Sequence, residues 1–165
     1  MAPTTPPHAE LPLTDESETE ALAARLAGMC GRGDILALTG DLGVGKTVFA
    51  RAFIRACTHA DEEVPSPTFT LLQVYETSDD PIHHFDLYRL RTAEEVLELG
   101  FDDALHDGVT LVEWPDRLGP YLPRDRLDVK LLQGPSAVSR LAHLTGHGYW
   151  EARMTDAFLD GAIHG

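Results

Sequence analysis

The sequence is poor in several residue types that particular classes of protein need. Its 165 residues include two cysteines, two lysines and no asparagine. A chain with two cysteines and no recognisable export signal is typical of the reducing cytosol, where disulfides are rare. No apolar run approaches the roughly 20 residues that a membrane-spanning helix requires. We therefore expect a cytoplasmic protein that does not associate with a membrane.

Basic residues are also scarce. The chain has 13 Lys and Arg against 27 Asp and Glu, a formal charge of −14 at pH 7. Contacts to nucleic-acid phosphates need clustered Lys and Arg side chains. We therefore expect no direct DNA binding, and a role in an RNA pathway only through a partner protein.

The length favours one domain. Residues 1–10 contain three prolines and no Lys or Arg, which is typical of a flexible tail. Accordingly, we predict a tail over residues 1–10 and one domain over residues 11–165.

Hydrophobic patterns predict alternating strands and helices. Ser17 and Glu20 have the spacing of a capping box, which predicts a helix that ends near Gly31. Fully apolar stretches predict buried strands, and turn residues separate the later strands. Beyond the first helix, the patterns predict strands at 34–39, 68–76, 82–88, 109–112, 126–133 and 137–144, and helices at 46–59, 92–99 and 149–159. This arrangement indicates an α/β fold whose central sheet is mixed parallel and antiparallel.

Residues 40–47, GDLGVGKT, match the G-x-x-x-x-G-K-[ST] pattern of a phosphate-binding loop. Glycines let backbone N–H groups surround phosphate oxygens, and the following helix directs its N-terminal dipole at the same anion. The chain has only two lysines, and Lys46 stands where the loop needs a compact charge. The predicted nucleotide-binding residues are Asp41, Leu42, Gly43, Val44, Gly45, Lys46 and Thr47. The motif predicts a single P-loop NTPase-like domain.

A phosphate loop needs an acidic group at the end of a neighbouring strand to hold Mg²⁺ or its water. Asp86 follows Ile82–Phe85, and Glu113 follows the more apolar Val109–Val112. Together with the hydroxyl of Thr47, these carboxylates are the candidate metal ligands, and either could contact the ion. Lys46, Asp86 and Glu113 are the candidate catalytic residues. The adjacent His83 and His84 should face opposite sides of a strand, which disfavours a zinc site.

Three hydroxyl side chains lie in a proline-containing loop between the second helix and the next strand: Ser66, Thr68 and Thr70. In nucleotide-switch proteins such a loop contacts the γ-phosphate through a hydroxyl. A plain turn that leads into a strand remains the alternative.

Four motifs stand in order along the chain: GDLGVGKT from Gly40, SPTFT from Ser66, HFDLYR from His84 and VEWPDRL from Val112. Together they resemble the TsaE family (also called YjeE), over roughly residues 13–144. The resemblance implies an ATPase required for threonylcarbamoyladenosine formation in tRNA. It also implies that ATP and Mg²⁺ are bound, and that the partner is the TsaD–TsaB complex, which performs the transfer and contacts the tRNA.

The resemblance also implies roles for particular residues. Thr47 and Glu113 match the magnesium positions of the family, and Asp86 matches its Walker-B-like aspartate. Residues 66–70 match a switch-like loop, and Trp114 matches an aromatic that flanks the site. The segment that includes Glu16 resembles a piece of the family near the adenine.

The sequence also bears on three other functions. A GTPase would need an N-K-x-D loop for guanine, and the chain has no asparagine. A small-molecule kinase would need arginines that close over the phosphates, and Arg117, Arg124 and Arg126 are available. An ATP-gated interaction module would need only differential affinity between two states, without hydrolysis.

Overall fold

Seven strands and five helices are present in the part of the chain that the computed structural model describes, residues 5–41, 43–67 and 69–159. The strands are β1 (His8–Leu13), β2 (Ile35–Thr39), β3 (Leu72–Tyr75), β4 (Ile82–Asp86), β5 (Val109–Glu113), β6 (Arg126–Gln133) and β7 (Arg140–His147). The helices are α1 (Glu16–Ala27), α2 (Lys46–Cys57), α3 (Glu95–Glu98), α4 (Phe101–Asp107) and α5 (Trp150–Met154). A 3₁₀ segment (Pro115–Tyr121) follows β5, and a π-helical turn (Thr155–Leu159) follows α5.

The strands form one sheet in the order β1-β7-β6-β2-β5-β4-β3. Strand β2 is parallel to β6 on one side and to β5 on the other, and β4 is parallel to β5. The pairs β1–β7, β6–β7 and β3–β4 are antiparallel. The predicted mixed-sheet α/β fold is therefore confirmed, including the predicted antiparallel pair β3–β4.

Both faces of the central strands are covered, which explains why β2 and β5 are apolar along their length. On one face, Leu36 and Leu38 pack in a core cluster with residues of α1 and α2. On the other face, Ile35 and Val112 pack with Phe101 of α4. Since α2 begins at the end of β2, this packing fixes the loop between them against the carboxyl edge of the sheet.

Strand β1 begins inside the predicted N-terminal tail. It pairs with β7 from His8↔Thr145 to Leu13↔Arg140, and Ala9 is buried in the core. The predicted tail is therefore too long, because residues 8–10 belong to the sheet. Residues 1–4 lie outside the described part of the chain, and the division into tail and domain stays a prediction there.

Other local predictions also differ from the structure. Helix α1 is capped by Asp15, not Ser17: the Asp15 carboxylate accepts a hydrogen bond from the Glu18 amide at 3.1 Å, and the Glu18 carboxylate accepts one from the Thr14 amide at 2.8 Å. Strand β7 starts three residues later than predicted, because a hydrogen-bonded turn over residues 134–139 precedes it. Helix α4 was not predicted, although its Phe101 is fully buried.

Within the described ranges, no helix is long and apolar enough to cross a bilayer.

Candidate nucleotide site

The predicted phosphate loop connects the end of β2 to the start of α2. Gly40 has φ 144°, and a Cβ on it would lie 2.6 Å from both the Leu131 carbonyl oxygen and a Val44 methyl carbon. Gly45 has φ 107° and is the N-cap of α2. L-amino acids with side chains rarely adopt these angles, so both positions require glycine. The loop thus brings backbone amides and a helix N-terminus to one point, which is the arrangement that binds phosphate.

Lys46 is the first residue of α2 and its side chain is 4% exposed. Its Nζ lies 3.5 Å from the centroid of the Trp114 ring, and among the described residues it has no hydrogen-bond partner. Burial lowers the pKa of Lys46, while the nearby carboxylates of Glu113, Asp86, Asp116 and Asp41 act in the opposite direction. A buried ammonium with unused donors is suited to bind an anion.

Asp86 and Glu113 end the neighbouring parallel strands β4 and β5, where they are register partners. Both side chains are buried, and Asp86 Oδ1 accepts a hydrogen bond from the Tyr88 amide at 3.0 Å. Glu113 Oε2 lies 2.8 Å from His84 Nε2. The two carboxylates therefore reach the same edge of the sheet as the phosphate loop, where α/β sheets bind their ligands.

These elements enclose a cavity of about 380 Å³, which we call the phosphate cavity. Of the predicted site residues, its lining includes Gly43, Gly45, Lys46, Thr47, Ser66, Asp86, Glu113 and Trp114. Thr70 is exposed outside it, where its hydroxyl accepts a hydrogen bond from Gln73. Asp41 is exposed, and Leu42 and Thr68 lie outside the described residues.

The phosphate cavity has a donor set that fits Mg²⁺. The hydroxyl of Thr47 and the carboxylates of Asp86 and Glu113 all line it, and Mg²⁺ prefers such oxygen ligands. No group of three or more His, Cys, Asp or Glu residues with metal-binding geometry occurs among the residues described. Thr47, Asp86 and Glu113 would supply part of a six-ligand shell, which is usual where water and substrate phosphates complete it.

Trp114 follows Glu113 directly and has φ 62°, a left-handed conformation that is uncommon for a bulky residue. Its ring contacts Tyr88 with the centroids 5.0 Å apart, and its face covers Lys46. The turn after β5 therefore places an aromatic ring against the lysine of the predicted phosphate loop. Backbone strain of this kind concentrates at functional sites.

A family model described as threonylcarbamoyl adenosine biosynthesis protein TsaE matches residues 13–141. The chain belongs to the TsaE family. It is 44% identical over 119 residues to the tRNA threonylcarbamoyladenosine biosynthesis protein TsaE of Rickettsia felis, covering 72% of this chain and 70% of that protein. It is 40% identical over 113 residues to the protein of the same name from Bacillus subtilis, covering 68% and 70%.

The similarity to TsaE extends to the three-dimensional structure. The crystal structure of Bacillus subtilis YdiB matches this chain with a TM-score of 0.78 and 27% sequence identity, covering 98% of this chain and 99% of that chain. The fold is therefore P-loop NTPase-like, as the sequence predicts. The TsaE family match includes the phosphate loop and both carboxylates, whereas α5 lies beyond it.

The TsaE-family chain also has a second cavity of about 340 Å³, which we call the base cavity. It adjoins the phosphate cavity, because Gly45 and Val48 line both. The remaining lining residues are Asp15, Glu16, Thr19, Val44, Ala137, Val138 and Arg140. Glu16, which the family resemblance associates with the adenine, therefore lies beside the phosphate loop.

Sequence reasoning missed Arg140. Its Nε donates a hydrogen bond of 2.7 Å to the Val44 carbonyl, and its Nη1 donates to the carbonyls of Ala137 and Ser139. Arg140 thereby connects the β6–β7 turn to the phosphate loop, 96 residues earlier in the chain. Nothing in the local sequence marks this arginine, because its contact with the loop depends on the order of the strands in the sheet.

Proposed function

We propose that this chain binds ATP with Mg²⁺, hydrolyses it slowly, and thereby supports threonylcarbamoyladenosine formation in tRNA by the TsaD–TsaB complex. The observation that carries the proposal is the phosphate cavity. There a phosphate loop, a buried lysine, a threonine hydroxyl and two strand-end carboxylates face one space. Membership of the TsaE family supports the pathway.

The two adjoining cavities suit the two ends of a nucleotide. The base cavity has apolar walls from Val44, Val48 and Val138, and its carboxylate Glu16 offers an acceptor for a base amino group. The phosphate cavity has the charges that a triphosphate requires. We infer that the nucleotide spans Gly45, with its base on the α1 side of the loop.

Hydrolysis is proposed to proceed by in-line attack of water on the γ-phosphorus. Lys46 would donate to β- and γ-phosphate oxygens, and loop amides would hold the remaining oxygens. Bound Mg²⁺, held by Thr47 and by Glu113 or Asp86, would neutralise charge that develops on the phosphates. Whichever carboxylate does not contact the ion would orient its water molecules.

Slow turnover and stimulation by a partner follow from what the phosphate cavity lacks. Among its described lining residues there is no arginine, and an arginine supplied to the transition state is worth about 10³–10⁵ in rate. Phe69, in the switch-like loop, is 81% exposed, and the Arg89 guanidinium lies 4.7 Å from its ring centroid. Aromatic and arginine side chains are enriched in protein–protein interfaces, so this pair is a candidate contact for a partner protein.

The kinase alternative is weakened by the sheet topology. Arg126 begins β6 and Arg124 lies beside Gly33 and Asp34, which precede β2. Since β2 and β6 are parallel, these arginines lie at the edge of the sheet opposite the phosphate loop. Arg126 is also paired with Asp128 at 2.9 Å. Neither arginine can close over the phosphates, so a lid would have to depend on Arg117.

The proposed function is tested by a pull-down of purified TsaD–TsaB complex with this chain, with and without ATP and Mg²⁺, together with calorimetry of ATP binding. We expect wild-type protein to bind ATP and to be retained by the complex in its presence, and Lys46→Ala to lose both. Absence of nucleotide binding to folded wild-type protein in millimolar Mg²⁺ would contradict the proposal.

The Glu113→Ala variant separates the ATP-gated module from the ATPase, because tRNA modification without hydrolysis would support the module.

Arg140→Gln is expected to raise the dissociation constant for ADP about tenfold. The substitution removes a charged hydrogen bond that holds the phosphate loop in place, worth about 1.5–3 kcal/mol to the conformation of the loop. A loss of about 1.4 kcal/mol in binding, part of that energy, is a factor of ten in the constant. Isothermal titration calorimetry measures the constant. Arg124→Gln, at the opposite edge of the sheet, is the matched control and should bind ADP like wild type. Equal affinity for both variants would show that Arg140 does not shape the loop.

A further inference from the structure

A buried histidine–carboxylate pair lies beside the phosphate cavity. His84 is fully buried and Glu113 is 3% exposed, and His84 Nε2 lies 2.8 Å from Glu113 Oε2. An ionised carboxylate has no hydrogen to donate, so the Nε2–H of His84 must be the donor. The other ring nitrogen, Nδ1, has no hydrogen-bond partner among the described residues. The ring therefore makes one polar contact in this part of the chain, and that contact is to Glu113.

The pair results from the register of two parallel strands. His84 lies two residues before Asp86 on β4, so both side chains lie on the same face of the sheet. Asp86 is the register partner of Glu113 on β5, which places His84 diagonally behind Glu113 on that face. His84 does not line the phosphate cavity, whereas Glu113 does. The histidine therefore reaches the cavity only through the carboxylate.

This geometry constrains the orientation of Glu113. A glutamate side chain has three rotatable bonds, and an unsupported one loses conformational entropy when it binds a cation. The hydrogen bond from His84 occupies Oε2 and leaves Oε1 as the oxygen available to a ligand of the cavity. Ligating carboxylates are commonly held by such outer hydrogen bonds, and their loss typically lowers metal affinity or activity about 10–100-fold.

We propose that His84 is a positioning residue that fixes the carboxylate of Glu113 for Mg²⁺ in the nucleotide complex. This inference rests on the proposed function, since it needs Glu113 to act on the ion. Since His84 does not line the phosphate cavity, it would not contact the nucleotide or the metal. Its removal should therefore weaken Mg²⁺-dependent binding of nucleotide, while binding of the nucleotide without Mg²⁺ is retained.

The neighbouring residue provides a matched control. His83 Nε2 also contacts a carboxylate, Asp107 Oδ2 at 3.0 Å, but it lies on the opposite face of β4 and away from the phosphate cavity. His83→Leu and His84→Leu therefore delete the same kind of contact from adjacent positions of one strand. A difference in Mg²⁺ dependence between the two variants would therefore reflect the contact with Glu113 at the phosphate cavity. It would not reflect a general effect of removing a histidine from β4.

The experiment measures ADP binding by calorimetry over a Mg²⁺ titration and in EDTA, for wild type, His84→Leu, His84→Asn, His84→Gln and His83→Leu. The Mg²⁺ concentration at half effect should rise about 10–100-fold in His84→Leu and His84→Asn. His84→Gln should approach wild type, because its amide nitrogen can occupy the place of Nε2, whereas that of asparagine lies near Nδ1. ADP affinity in EDTA should be unchanged in all variants.

Each outcome has a distinct meaning. Equal Mg²⁺ dependence in wild type, His84→Leu and His84→Asn overturns the positioning role while the proposed function stands. Absence of any Mg²⁺ effect on wild-type binding overturns the proposed function itself. Circular dichroism and thermal unfolding establish that each variant is folded. If His84→Leu does not fold, His84→Asn compared with His84→Gln decides the question.

Discussion

Replacing Lys46 with methionine is expected to lower the rate of ATP hydrolysis about 10²–10³-fold, the usual cost of removing one positioned donor from a developing charge. The same change should not lower the thermal unfolding midpoint. Lys46 is 4% exposed and stacks on Trp114 without a hydrogen-bond acceptor among the residues described. Methionine has nearly the same length and keeps the apolar contact with the indole ring.

The absence of a stability loss follows from the direction of the pKa shift. Burial lowers the pKa of Lys46, so the folded chain holds this proton less tightly than the unfolded chain. At pH values below the folded-state pKa, the charged lysine therefore opposes folding. The free energy of unfolding rises as the pH increases from that pKa towards 10.5, the ordinary pKa of lysine. Lys46→Met removes this opposition. The proposed role of Lys46 in phosphate binding therefore comes at a cost in folding stability.

The measurements are single-turnover ATP hydrolysis and differential scanning calorimetry at pH 7. Lys130, the chain's other lysine, is exposed on β6 and provides the matched control. Lys130→Met should leave both quantities near their wild-type values. Hydrolysis by Lys46→Met within a few-fold of wild type would remove the lysine from the mechanism.

Trp150→Ala is expected to lower the free energy of unfolding by about 3–5 kcal/mol, the range for truncating a large buried aromatic residue. Trp150 is fully buried in the same core cluster as residues of α1, α2 and the sheet. It begins α5, which follows the part of the chain matched by the TsaE model. The result would establish that α5 is an integral part of the core.

Urea unfolding monitored by circular dichroism measures this change. Leu97→Ala, at a position 42% exposed on α3, is the control and should cost about 0.5 kcal/mol or less. An effect of Trp150→Ala as small as that of the control would mean that α5 contributes little to stability.

The sequence predicted the parts of the site that have local signals. The phosphate loop has a fixed spacing of glycines with Lys46, and the preceding apolar strand and following helix are visible in residues 34–59. Glu113 was predicted because it ends an apolar strand, and Asp86 because it ends a predicted strand that contains two histidines. Parallel strands place their carboxyl ends at one edge of the sheet, which predicts that the two carboxylates lie near each other. Their exact pairing as register partners could be known only from the order of the strands.

The contacts that were missed all depend on residues far apart in the chain. The bond from Arg140 to Val44 requires that β7 return beside the phosphate loop, and the pairing of His84 with Glu113 requires a parallel register. Local errors arose where two signals competed. Ser17 and Asp15 both precede apolar helical residues. Asp15 is the cap, because its carboxylate accepts a hydrogen bond from the Glu18 amide while the Glu18 carboxylate accepts one from the Thr14 amide. Helix α4 is only seven residues long, too short for a clear periodicity.

The position of β1 has a consequence for the synthesis of the protein. In the described sheet, β1 is bonded to β7 and to no other strand, although more than 120 residues separate the two strands in the sequence. During synthesis, β1 therefore has no strand to pair with until β7 has left the ribosome. Asp15 and Glu16, which come just after β1, form one wall of the base cavity. The opposite wall is formed by residues from Ala137 to Arg140. Nascent chains that lack β7 cannot form the complete base cavity, and such long-range closure is expected to be slow.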